Sequence, residues 1–93
     1  MNVQPARQRR SLKYIRLAAF LAGQFANVDR IEMTAEEIEG LVGEKLPPGA
    51  KFPSWWRNDA RKMHARAWLT AGWEVDGFDP GGEGVVFVRR PAP

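Results

Sequence analysis

The chain predicts a small α+β domain, three helices packed on a short antiparallel sheet. Three observations carry this. Apolar residues recur at helical spacing in three separate segments, the last third of the chain alternates like a pair of strands around PGGEG, and one further short alternating run lies between the first two helices. With 93 residues, 44% hydrophobic and 27% charged, the chain fits one domain with one modest core.

Residues 1–10 hold Pro5 and three arginines without apolar periodicity and read as a disordered basic arm. Ser11 suits an N-cap. Tyr14, Leu17, Ala18, Leu21 and Phe25 share one helical face, so a first helix is expected over 12–26. LAAFLAG at 17–23 follows basic residues as a signal peptide would, but it is too short to span a bilayer and fits an amphipathic helix. RIEMT at 30–34 alternates as a strand. Thr34-Ala35-Glu36-Glu37 matches a capping box, Ile38, Leu41 and Val42 supply an inner face and Gly43 a stop, which places a second helix over 35–42.

LPPGAKFPS excludes helix through its prolines, with a brief turn expected around 53–57. Asn58 or Asp59 is expected to cap a third helix over 59–71 that ends at Gly72. On a helical projection Ala60, Met63, His64, Ala67, Trp68 and Ala71 face inward, and Arg61, Lys62, Ala65 and Arg66 face outward. WEVDGFD at 73–79 and GVVFVRR at 84–90 close the domain as a hairpin, with Trp73, Val75 and Phe78 as the apolar set of the first strand. The order α-β-α-α-β-β is that of a winged-helix-like domain, here occupying 11–90, with 91–93 as a tail. Such a fold does not by itself assign a function.

The chemistry-bearing residues are few. Without cysteine there is no disulfide, thiol nucleophile or cysteine-held metal. His64 is the only histidine and falls on the inner side of its helix, so a catalytic triad lacks parts and no enzymatic activity is expected. Asp76, Asp79 and Glu83 gather near the hairpin turn, a pattern more often solvated than metal-binding. The glycines there make no phosphate loop. No cofactor is expected.

Charge is more informative. Net charge is only +3, but it is segregated. Residues 1–28 carry bases and no acid, 29–44 are acidic apart from Arg30, and 51–66 are basic apart from Asp59. Basic patches attract polyanions. With the third helix as a recognition helix, Arg61, Lys62 and Arg66 would read the major groove. Arg57, Lys51 and the arm, with Arg9 and Arg10, would hold phosphates. The expected partner is double-stranded DNA, in the cytoplasm, with no membrane contact. The hairpin turn contributes an acid and no base, and Arg89 and Arg90 substitute only if they project correctly. The acidic second helix argues the other way and suggests a protein-interaction module, such as a phage-encoded inhibitor of a host protein. RNA binding, with Trp55 stacking on a base, is a further alternative. Of the paired tryptophans, Trp56 is expected to plug the core and Trp55 to stay partly exposed and face a partner.

The segments TAEEIEGLVGEKLPPGA, WWRN, ARAWLTAGWEVDGFD and VVFVRR together resemble a small uncharacterised domain family of bacteria, archaea and phages. Its pattern is a helix ending in glycine, then LPPSA, WW.N, QARAW, GW and a last strand with F.R. The resemblance covers residues 12–90, with Gly49-Ala50 in place of serine-alanine and His64 near the usual glutamine. It implies that Trp55, Trp56, Asn58, Ala65 or Ala67, Trp68 and Gly72 belong to the family signature, and it fits a phage, mobile-element or regulatory setting. It implies no biochemical activity.

Overall fold

A computed structural model describes residues 13–79 and 84–91. The basic arm, Ser11 and the PGGE of the hairpin turn lie outside the described residues. The elements are α1 (Ile15–Ala22), β1 (Arg30–Met33), α2 (Ala35–Val42), two single 3-10 turns (Pro48–Lys51 and Pro53–Trp56), α3 (Met63–Thr70), β2 (Trp73–Asp79) and β3 (Gly84–Arg89). This is an α+β domain with the expected element order. The antiparallel sheet has the order β1-β3-β2, so the last strand is central.

The sheet explains an oddity in the sequence. Strict alternation from Trp73 would turn Gly77 inward and Phe78 outward. Instead Val75 pairs with Phe87 and Gly77 with Val86, so Asp76 is the extra residue of a β-bulge. The bulge shifts the phase by one residue, and Phe78, paired with Val85, joins Trp73 and Val75 against the core. At the hairpin's return, Gly84 adopts φ +95°, and a Cβ there would collide with the Met33 carbonyl.

Trp68, Trp73, Phe87, Leu17, Leu21, Ile38 and Val85 are fully buried. Trp56 joins them at 2% exposure, stacking on Trp68 (5.7 Å) and on Phe78 (5.4 Å). Three helix boundaries differ from the sequence expectation: α1 begins at Ile15, after a turn at Lys13-Tyr14, rather than at residue 12, and two others shift as follows. α1 stops at Ala22 because the chain turns at Gly23-Gln24, where the Gln24 amide donates to the Phe20 carbonyl. Phe25 is then 81% exposed, and Phe20 and Val28 pack on the core instead. α3 begins at Met63 rather than at residue 59, for the reason given below.

Candidate nucleic-acid interface

The connection from Gly43 to Lys62 is much longer than the tight turn of a helix-turn-helix. Prolines 47, 48 and 53 hold it in two successive 3-10 turns. It is pinned from inside: the Trp56 indole Nε1 donates to the Ala50 carbonyl at 2.7 Å, and Ala50 and Trp56 are both buried. The tether leaves Phe52 on the outside, 55% exposed, with Lys51 Nζ 5.6 Å from its ring centre.

Asn58 is not a helix cap. Its Oδ1 accepts from the Val75 backbone N–H (2.8 Å) and from the Trp68 indole (2.9 Å), while its Nδ2 donates to the Val75 carbonyl (3.0 Å). One amide thus imitates a strand partner on the outer edge of β2 and satisfies a fully buried tryptophan. Sequence reading missed this because the partners lie 10 and 17 residues away.

Asp59 caps a turn rather than the helix. Its carboxylate accepts from the Arg61 backbone N–H and guanidinium at 3.0 Å, which holds its pKa down at about 2. This local loop delays α3 to Met63, so Arg61 and Lys62 precede the helix, with Lys62 at its N-cap, and Arg66 is the basic residue of α3 itself. Arg61, Lys62, Arg66, Arg57 and Lys51 are all exposed. Only Arg61 of these forms an ion pair among the described residues, and its side chain is still 89% exposed. Ala65, expected on the outer side, is completely buried: α3 packs against α1 and β2 together, which widens its buried arc. Arg9 and Arg10 lie outside the described residues.

Trp55 is half-buried, which leaves it partly exposed as expected. His64 stacks flat on it, 3.7 Å between centroids and 2° between planes, and Tyr14 and Trp56 meet it edge-on. His64 Nε2 lies 2.7 Å from the Trp55 carbonyl. A carbonyl only accepts, so Nε2 carries the proton. Burial, partly opposed by that hydrogen bond and assisted by Lys62, lowers the His64 pKa from its ordinary value.

Arg89 and Arg90 sit at the end of β3 remote from the hairpin turn. The Arg89 guanidinium covers the Trp73 ring at 4.5 Å and donates to the carbonyls of Val28 and Phe25. Arg90 reaches the Leu69 carbonyl near the end of α3. They brace the domain and do not substitute for bases on the hairpin turn. The acids of the α2 region are also largely engaged. Glu37 completes the capping box, Glu39 accepts from the Leu46 N–H, and Glu44 and Glu32 pair with Lys13 and Arg30. α2 packs mainly on α1.

Surface depressions flank α3, three of them among the described residues. One, about 340 Å³, runs between α1 and α3 past Ile15, Ala18, Met63 and Arg66. A second, about 460 Å³, is lined by Asn58, Ala60, Arg66, Leu69, Thr70, Glu74 and Arg90. The third, about 500 Å³, lies before α3 and is lined by Gly49, Phe52, Ser54, Trp55, Lys62 and His64. No helix among the described residues is long and apolar enough to cross a membrane.

These features define a small α+β domain with a cationic, aromatic-backed segment in front of its third helix. Residues 14–91 match the family described as a domain of unknown function (DUF7662), and the chain belongs to that family. No curated protein and no solved structure matches it.

Proposed function

We propose that this domain binds double-stranded DNA through the segment that leads into α3 and through α3 itself. The observation that carries the reading is the charge of residues 51–66. Lys51, Arg57, Arg61, Lys62 and Arg66 are exposed, and the one acid among them, Asp59, is held by Arg61. The element order and the β1-β3-β2 sheet support a winged-helix likeness. Arg66, with Arg61 and Lys62 in the turn ahead of it, reads base edges, because a guanidinium matches the paired acceptors of guanine. Lys51 and Arg57 hold phosphates, and Arg9 and Arg10 of the arm add backbone contacts. A regulatory role in the cytoplasm, in a phage or mobile-element setting, belongs to the same proposal.

The test is binding to a random-sequence duplex across a salt series, with the Arg61→Ala, Lys62→Ala, Arg66→Ala triple variant alongside. Micromolar or tighter binding is expected, with log K falling at a slope near −0.9 per phosphate neutralised. The triple variant should lose most of the affinity and part of the slope. No binding at low salt overturns the reading and returns attention to a protein partner for the acidic α2 and Trp55.

A further inference from the structure

The cationic segment contains a feature that duplex binding does not use. Phe52 is an exposed aromatic on a loop with little freedom to move. Proline precedes it at 47 and 48 and follows at 53, and the loop is tied down at Ala50 by Trp56. A single exposed ring is ordinary, and what distinguishes Phe52 is the cationic depression it lines, at 55% exposure. Its surroundings are those of an anionic aromatic ligand. Lys51 stands beside the ring, and Lys62 lines the same depression. The Ser54 side chain, also in the lining, makes no hydrogen bond among the described residues. The floor is the Trp55–His64 stack, held on one side by Tyr14 and by the His64–Trp55 hydrogen bond. No acidic side chain lines the depression.

We infer that Phe52 is a stacking platform for an unpaired nucleobase, with Lys51, whose Nζ lies over the ring at 5.6 Å, taking the flanking phosphate. The inference rests on the nucleic-acid reading above and deepens it. α3 engages the duplex, while the loop before it selects a site where a base is out of the stack. Ring faces stack on any base, so the platform recognises unpairing rather than sequence. A free base offers its face without the cost of breaking a pair, which makes a bulged or gapped duplex the preferred ligand.

The experiment compares two probes by fluorescence anisotropy: a fully paired duplex, and the same duplex carrying a three-thymidine bulge. Wild-type protein is expected to bind the bulged probe more tightly. Phe52→Ala should lose affinity for the bulged probe by about 5- to 150-fold, the range for one base–aromatic contact, and keep its affinity for the paired probe within about twofold. Phe52→Tyr, which retains the ring, should keep the preference. Phe52 packs little in the fold, and matching thermal melts of the variants confirm that each is folded. Equal wild-type binding to both probes, or a preference that survives Phe52→Ala, overturns the platform and leaves the duplex reading standing. Binding to neither probe overturns both.

Discussion

α2 and α3 are both eight residues long, yet they begin in opposite ways. Thr34 and Glu37 close a complete capping box at the start of α2, acids occupy its first turn, and Gly43 ends it in the left-handed region at φ 91°. α3 starts at Lys62 with no capping side chain and no acid in its first turn. Its start is set by the Asp59–Arg61 turn, and the segment is held by contacts outside the helix: Asn58 on Trp68 and β2, His64 on Trp55, and Trp56 on the core. A helix with its own capping box has its start defined by local sequence, though α2 still packs Ile38 into the core. One held from outside can leave its first turn cationic and exposed, and that arrangement suits an anion-binding surface.

The comparison breaks most sharply at Asn58. Asn58→Ala strands the indole N–H of a fully buried tryptophan and should cost about 2–3 kcal/mol, measured by urea unfolding. If α3 does not depend on this tether, the loss will be no larger than for an exposed substitution. At α2, Thr34→Ala removes one side of the capping box and should cost about 1 kcal/mol in the same assay. Gly40 sits in the middle of α2 with open space where a Cβ would go, so Gly40→Ala should stabilise by roughly 0.5–1 kcal/mol.

The smallest effect concerns pH. Burial lowers the His64 pKa in the fold, so the unfolded chain takes up a proton first as pH falls. Stability should be level above the ordinary histidine value of about 6.5 and decline below it. The decline ends where the folded protein also protonates. His64→Gln should flatten the slope between pH 7 and 5 in urea melts, and a slope unchanged by the substitution would place its origin elsewhere.

Much of this molecule is legible residue by residue. The capping box, the glycine stop, the proline-bound loop, the hairpin and the division of labour between Trp56 and Trp55 all follow from local rules. Local rules failed where a competing partner was distant or a side chain turned back on its own chain. Phe25 has the spacing of a core residue, but α1 ends before it. Asp59 looks like a helix cap, but it closes a turn on Arg61 and shortens α3. Ala65 projects outward on a helical wheel, but α3 is covered from two sides. The Asp76 bulge is invisible until β2 is laid against β3.

The sequence by itself determined the class of fold, the order of elements and the segregation of charge, because periodicity, capping and net charge are properties of neighbours along a chain. Tertiary structure decided that Asn58 serves a strand, that Ala65 is covered and that Asp76 bulges from β2. Those outcomes depend on hydrogen bonds and packing between residues well separated in the chain, and no local pattern encodes them.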